Sequence, residues 1–386
     1  MARANKLICN IDLVTDNSLT TAERAQYKAE AKIFRAMVMF DMVRLWGDFP
    51  VITTVADDIT SENIDEVYPQ YFPKQNTELE AYQQIEKDLL DAVLYAPDNT
   101  PGNKTLFSKS VARTLLAKIY AEKPLRDYTK VIQYCDEVKA DGFDLVDDFS
   151  DLFGMNAAGT DAKMRNTKES ILEAQFTSGA GNWCTWMFGR DLVNWNNNFT
   201  WAKWVTPSRD LISAFKQEGD EVRFKESIVY YDCNWSNYYP SDNYPFMYKC
   251  RSANSSIIKY RYADVLLLKA EALIMQDTPD LEGAADIIDE VRDRAKLGAL
   301  PTSVRSNKNV LLNALLKERR LELAFEGQRW FDLVRLDKVE EVMNAVYAKD
   351  SGRKAQIYTF DKNSYRLPIP QSVIDANDKI HQNPGY

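Results

Sequence analysis

The sequence predicts a mainly α-helical protein, built from helical hairpins of an α-α superhelix and carrying one large, irregular, loop-rich insertion. Three observations predict this architecture. Long stretches of the 386-residue chain repeat apolar residues at the helical period of 3.6. Two pairs of segments resemble each other. Glycine and proline are sparse, at 14 each, which disfavours an all-β protein with many turns.

The N-terminal elements have clear start and stop signals. Residues 22–45 predict a long helix that ends where Gly47 and Pro50 follow. Thr77 and Glu80 have the spacing of a capping box, which predicts a second helix ending before Pro97. The apolar stripe of the first helix consists of Ala29, Ile33, Ala36, Met37, Phe40 and Val43.

Two helix pairs resemble each other. Residues 110–122 and 128–140 form the first pair, and residues 262–275 and 281–297 form the second. Each pair places small residues among large ones and has a short turn between its helices, which is typical of tetratricopeptide hairpins that complete one another's core by stacking. A last pair is expected over residues 309–325 and 330–345. The balanced charges between Lys317 and Arg335 predict ion pairs between helices rather than a binding patch.

The middle of the chain has a different character. Between residues 141 and 256 the helical period fades, while Trp, Tyr, Asn, Ser and Gly become frequent. We therefore predict one integrated domain in three parts: a helical part over 1–140, an aromatic insertion that forms the ligand face over 141–256, and a second helical part over 257–386. Within the insertion, residues 208–216 predict a short helix.

The tryptophans indicate a candidate site. Five of the eight lie between Trp183 and Trp204, among asparagine and arginine side chains. Indole faces stack on sugar rings, and placed polar groups bind the hydroxyls, as ligand sites generally combine apolar walls with a few polar groups. The alternative is that these indoles form the core of the insertion. The predicted ligand-binding residues are Trp183, Trp186, Arg190, Trp195, Asn196, Asn198, Trp201 and Trp204.

Composition excludes several classes of function. A net charge of −9 disfavours a nucleic-acid binder. The single histidine, His381, disfavours histidine-based triads and histidine-ligated zinc. Phosphate-loop and nucleophile-elbow motifs do not occur. We predict no catalytic residues, no metal and no cofactor.

Acidic residues leave two alternatives open. The pairs Asp57–Asp58 and Asp147–Asp148, with Asp151, could serve a glycoside hydrolase that uses two carboxylates. The same oxygens could hold a structural calcium ion, but no D-x-[DN]-x-[DN]-G loop supports that site.

Several segments together resemble one family. They read R-L-W-G-D-F-P at 44–50, R-Y-A-D-V at 261–265, E-R-R-L-E-L-A-F-E-G-Q-R-W-F-D-L at 318–333, L-P-I-P-Q-S at 367–372 and Q-N-P-G-Y at 382–386. This series, in this order, resembles the SusD/RagB family of nutrient-binding outer-membrane lipoproteins. Val373 stands where that family often has Glu.

The resemblance implies a fold and a function. Such proteins are α-helical with four tetratricopeptide-like units, and their shared motifs are mainly scaffold residues. They lie on the cell-surface side of the outer membrane through a lipidated N-terminal cysteine, cover a SusC-like TonB-dependent transporter and deliver oligosaccharide or another nutrient to it without catalysis. The chain starts without a leader or lipobox, and Cys9 is a poor lipid anchor, so we expect a truncated form. A helical-repeat scaffold for a protein or peptide remains the alternative.

Overall fold

The computed structural model of the protein describes residues 1–177, 181–182, 206–232, 239–240, 242–349 and 359–386. This part of the chain is mainly helical with a few short strands, as predicted. The helices are α1 (Ala2–Asn10), α2 (Thr21–Trp46), α3 (Ile64–Val67), α4 (Glu78–Tyr95), α5 (Lys109–Ala121), α6 (Tyr128–Ala140), α7 (Ser150–Phe153), α8 (Arg209–Glu218), α9 (Glu221–Ser227), α10 (Tyr262–Met275), α11 (Leu281–Arg294), α12 (Thr302–Arg305), α13 (Lys308–Glu322), α14 (Arg329–Arg335), α15 (Val339–Lys349) and α16 (Gln371–Ala376). The strands are β1 (Ser170–Ala174), β2 (Ile228–Tyr231), β3 (Tyr244–Met247) and β4 (Ile257–Arg261).

Helices α2 and α4 form where the sequence predicts them. The Thr77 hydroxyl accepts a hydrogen bond from the Glu80 backbone N–H at 3.3 Å, and the Glu80 carboxylate accepts one from the Thr77 N–H at 2.8 Å. This confirms the capping box. Helix α2 ends at Gly47, whose φ of 71° is a conformation that favours glycine. The two helices pack together, with the rings of Phe40 and Tyr82 edge to face at 6.1 Å.

The two repeated helix pairs are confirmed as tetratricopeptide-like hairpins, α5–α6 and α10–α11. Helix α10 contacts both helices of the first hairpin as well as α11 and α13, so it lies at the centre of the frame. Ala117, Ala270 and Ala272 are fully buried there. Because alanine side chains are short, the helices approach closely and share one continuous apolar core.

The last predicted helix, residues 330–345, is wrong as a single element. Helix α14 ends at Arg335, and α15 begins at Val339. Asp337 adopts a left-handed φ of 54°, and the Lys338 N–H donates to the Leu333 carbonyl at 2.8 Å. This is a Schellman-type helix end, in which an aspartate takes the place that glycine usually occupies.

The described part of the 141–256 segment contains more regular structure than the sequence predicts. The expected short helix is present as α8, and α9 follows it. Strands β2 and β3 form an antiparallel hairpin, and β1 pairs with β4 at the entrance to the central helix α10. A second apolar core joins this region to α13. The division of the chain at residues 140 and 256 stays a prediction.

Buried ion pairs fix this region to the helical frame, as the charge pattern predicts. The Glu322 carboxylate on α13 accepts hydrogen bonds from Arg223 on α9 at 3.0 Å, from Arg261 at 2.5 Å and from Arg294. Burial raises the pKa of Glu322, but the three guanidinium groups outweigh burial and hold that pKa well below its usual value. Arg223 also pairs with Glu318 at 2.5 Å.

The shared motifs at the two ends of the chain meet each other. The Leu367 N–H donates to the Leu45 carbonyl at 2.7 Å, and the Asn383 side-chain amide donates to the Trp46 carbonyl at 2.9 Å. The R-L-W-G-D-F-P and Q-N-P-G-Y segments therefore hold the scaffold together.

Two properties bear on location and chemistry. Every helix in the described ranges is too short or too polar to cross a bilayer. The same ranges hold no cluster of three or more His, Cys, Asp or Glu side chains that could bind a metal ion.

Candidate functional site

The predicted ligand-binding residues lie outside the described residues. Their arrangement is therefore not tested by the structure, and the site that they would form stays a prediction. They are Trp183, Trp186, Arg190, Trp195, Asn196, Asn198, Trp201 and Trp204.

The chain that leads into this tryptophan-rich segment is described and firmly held. Asn182, directly before Trp183, is buried, and its backbone N–H donates to the Ala253 carbonyl at 2.6 Å. Its side-chain amide donates to the Ser255 carbonyl at 3.1 Å. The segment therefore starts from the loop over residues 250–255.

The chain that leaves the segment is held by the β2–β3 hairpin. The hydroxyls of Thr206 and Tyr244 are hydrogen-bonded at 2.8 Å, and the Tyr239 hydroxyl donates to the Pro207 carbonyl at 2.7 Å. Both ends of the tryptophan-rich segment are thus anchored on the hairpin and the loop that follows it.

One face of this hairpin is aromatic. Tyr231 pairs directly with Tyr244 across the strands, and Phe246 and Tyr248 follow at the alternate positions that share a face. Tyr244 and Phe246 are buried, whereas Tyr231 and Tyr248 are half-buried. Burial raises the pKa of Tyr231, so its phenol stays neutral near pH 7 and can both donate and accept hydrogen bonds.

Tyr231 and Tyr248 line a cleft of about 500 Å³. This volume lies within the usual range for small-molecule sites. The opposite wall is formed by residues 150–163, which comprise helix α7 and the chain that follows it. The residues that line the cleft are Ser150, Gly154, Met155, Asn156, Ala157, Gly159, Lys163, Glu226, Tyr231, Tyr248 and Arg251.

Two polar residues, Arg165 and Asn254, connect the chain segments that carry the cleft walls. Arg165 donates to the Asn254 carbonyl at 2.9 Å and to the Phe176 carbonyl at 2.7 Å. The Asn254 side chain donates to the Thr160 carbonyl at 2.7 Å. The Arg165–Asn254 and Asn254–Thr160 bonds connect segments about ninety residues apart, so they join the chain around residue 160 to the loop over residues 250–255.

The charged side chains of the cleft are paired. Lys163 contacts Asp148 at 2.9 Å and Asp151 at 2.7 Å. The hydrogen bond from Lys163 lowers the pKa of Asp148 to about 2. Arg251 pairs with Glu226 at 2.8 Å and lies over the Tyr248 ring at 3.6 Å from its centroid.

These pairings bear on the hydrolase alternative. A glycosidase needs a carboxylic acid whose pKa is raised, beside a second carboxylate. Asp148 has the opposite shift, and the exposed Asp147 pairs with Lys168 at 3.2 Å. The suggested acidic residues of this region are therefore partners of lysines.

A second cavity lies next to the segment after Pro50. It has a volume of about 380 Å³ between that segment and the C-terminal helix α16. Its walls are mainly apolar, with Tyr71, Phe72, Val373 and Ile380 prominent. Because the exposed surface of this cavity is mainly apolar, the cleft is the better candidate for a polar ligand.

The sequence analysis missed the cleft residues Tyr231, Tyr248, Asn156 and Arg251. The alternation of aromatic residues at Tyr244, Phe246 and Tyr248 was the available signal, since it is typical of a strand with one aromatic face.

Comparison with known proteins agrees with this architecture. A family model described as "SusD family" matches residues 242–386, and a model described as "Starch-binding associating with outer membrane" matches residues 1–121. The SusD-like protein P2 of Formosa agariphila is 28% identical over 99% of this chain and 78% of its own length.

Solved structures share the fold. A SusD homolog from Bacteroides thetaiotaomicron superposes with a TM-score of 0.78 at 23% identity, over 100% of this chain and 83% of that one. A laminarin-binding SusD-like protein gives a TM-score of 0.74 at 24% identity, with 100% and 83% covered. The motifs, the fold and the two family models lead to one conclusion: the chain belongs to the SusD/RagB family.

Proposed function

We propose that the protein is a non-catalytic glycan-binding protein that captures oligosaccharide and delivers it to a TonB-dependent outer-membrane transporter. The observation that carries the proposal is the cleft, where two half-buried tyrosine rings stand beside polar side chains and next to both anchors of the tryptophan-rich segment. A sugar ring presents apolar C–H surface and hydroxyls, and the cleft offers partners for both.

The energetics favour weak binding. Each hydrogen bond to a hydroxyl contributes a net of about 0.5–1.5 kcal/mol. A few such bonds with ring stacking give a Kd on the order of micromolar to millimolar. A polymer with many repeated sites compensates for this by multivalency.

Trp183, Trp186, Trp195, Trp201 and Trp204, with Arg190, Asn196 and Asn198, belong to the same proposed site. Their segment begins and ends on the hairpin and loop whose residues line the cleft. These side chains would extend the ligand surface beyond the two tyrosines.

Location and partner form a further part of the proposal. The description of the matching N-terminal family model includes association with the outer membrane. We place the protein on the cell-surface side as a lipoprotein, with a SusC-like transporter as its partner. Co-purification with such a transporter from solubilised outer membranes tests this part separately.

Affinity electrophoresis tests the binding proposal. The chain is run through native gels containing soluble starch, laminarin, xylan, mannan, oligogalacturonate or chondroitin sulfate. We expect at least one polysaccharide to retard the protein. Retardation by none of them would contradict the proposal.

Tyrosine variants locate the site. Tyr231→Ala and Tyr248→Ala should each weaken retardation, because stacking on one aromatic residue contributes about 1 kcal/mol, a factor of roughly five. Tyr95→Ala is the matched control, since Tyr95 is exposed at the end of α4 on the frame. Equal retardation of all three variants and the parent would place the ligand elsewhere.

A further inference from the structure

We infer that the cleft selects uncharged glycans and rejects those that carry uronate or sulfate groups. This inference rests on the proposed function and specifies the substrate class of the same site. It depends on the hydrogen bonds and ion pairs that the two cations of the cleft, Lys163 and Arg251, already make within the protein.

The Lys163 ammonium has no donor left for a ligand. An ammonium group has three N–H donors. In the structure these match three acceptors: Asp148 at 2.9 Å, Asp151 at 2.7 Å and the Ser150 hydroxyl at 2.6 Å. A sugar carboxylate would have to displace a partner that carries the same charge as itself.

Arg251 is engaged along the edge that recognises carboxylates. Two-point recognition uses parallel N–H donors of the planar guanidinium group. Here Nε donates to the Tyr248 carbonyl at 2.8 Å, and Nη2 donates to the Glu226 carboxylate at 2.8 Å and to the Glu226 carbonyl at 3.0 Å. One face of the guanidinium lies over the Tyr248 ring. Arg251 therefore shapes the tyrosine surface, and its Nε–Nη2 edge is closed to a sugar carboxylate.

The local charge balance also disfavours anionic sugars. The two cations pair with three carboxylates, those of Asp148, Asp151 and Glu226, which leaves one net negative charge across these ion pairs. Glu226 lines the cleft itself, whereas Asp148 and Asp151 contact it through Lys163. An anionic sugar at contact distance is repelled by this charge, which weakens its binding on the order of tenfold relative to a neutral sugar. The hydroxyl groups of a neutral sugar have no such penalty.

The test compares neutral with anionic oligosaccharides on the full chain. Malto-, laminari-, xylo- and manno-oligosaccharides are titrated beside oligogalacturonate and chondroitin sulfate oligosaccharides. Every ligand that binds should be neutral, and its Kd should change less than about twofold between about 20 mM and about 500 mM NaCl. Selection of an anionic ligand, or binding lost on adding salt, would overturn this inference and leave the proposed function standing. Binding of no glycan would overturn the proposed function and the inference with it.

One substitution changes the charge balance of the cleft directly. Glu226→Gln removes the carboxylate from Arg251 and frees a cation in the cleft. The ratio of anionic to neutral Kd should then fall by about fivefold or more, because the pair is largely buried and a buried pair is worth more than an exposed one. Glu282→Gln is the matched control, because it removes the same charge from an arginine pair, that of Arg305 on the frame. An unchanged ratio of anionic to neutral Kd in Glu226→Gln would refute the role given to the Arg251–Glu226 pair. If this variant does not fold, the salt titration of the parent protein decides the question.

Discussion

Removing the charge of Glu322 should destabilise the protein strongly. The Glu322→Gln change keeps the shape of the side chain but leaves Arg223, Arg261 and Arg294 without the carboxylate on which they converge. The carboxylate is fully buried. Water therefore cannot replace it as a partner.

The structure sets the magnitude of this effect. Removing one partner of a buried ion pair costs about 3–5 kcal/mol. The remaining carboxylates of Glu169, Glu318 and Glu326 still contact the arginines, which places the expected loss in the lower half of that range. This is a large part of a total stability of about 5–15 kcal/mol.

The loss should also depend on pH. The folded-state pKa of Glu322 lies well below its unfolded value. Its stabilising contribution is therefore fully present above the unfolded pKa of about 4.3 and is lost as pH falls through the folded pKa. The difference in unfolding free energy between parent and Glu322→Gln should be largest near pH 7 and should decrease in acid.

Urea unfolding followed by tryptophan fluorescence measures the difference. Glu341→Gln is the matched control, since Glu341 makes an exposed pair with Lys338 at 2.6 Å, and it should cost less than about 1 kcal/mol. Equal effects of the two substitutions at pH 7 would refute the role assigned to the buried network.

Other predictions concern a helix cap, a buried lysine and the tryptophans. Thr77→Ala should cost about 1 kcal/mol in urea unfolding by removing the cap of α4, while the exposed loop residue Thr100→Ala should cost little. Burial lowers the pKa of Lys249 to about 8 in the folded protein, whereas the unfolded value is near 10.4. Between these two pH values the unfolded state binds more protons than the folded state. The parent should therefore gain stability relative to Lys249→Met as pH rises through that window. A constant difference across that window would contradict the assignment. Alanine substitutions in the tryptophan-rich segment should weaken glycan retardation at one or more positions without loss of circular-dichroism signal, and unchanged binding in all would exclude the segment. The positions are Trp183, Trp186, Trp195, Trp201 and Trp204.

Local signals predicted the helical frame well. The Thr77–Glu80 box and the stop at Gly47 depend on neighbouring residues only, and both are confirmed. The break at Asp337 was not predictable in the same way, because an aspartate in the left-handed conformation has no distinctive sequence signal. Proline or glycine would have indicated it.

The cleft could not be predicted from local patterns. Its walls come from residues 150–163 and 226–251, and the contacts of Arg165 and Asn254 join these distant parts of the chain. The tryptophan density suggested a ligand face between residues 141 and 256, which stays a prediction, and it contains no information on strand pairing. The hairpin that presents Tyr231 and Tyr248 depends on the register between two strands that are about twelve residues apart in the sequence.

Binding without turnover is the central claim, and one combined measurement tests it most directly. Isothermal titration of the full chain with the polysaccharide that retards it most is followed by a reducing-end assay of the same cell contents. We predict saturable heat with a Kd on the order of micromolar to millimolar and no increase in reducing ends. Release of reducing ends that disappears after Asp148→Asn or Asp151→Asn, at the carboxylates that pair with Lys163 of the cleft, would contradict the account. The absence of any saturable heat would contradict it as well.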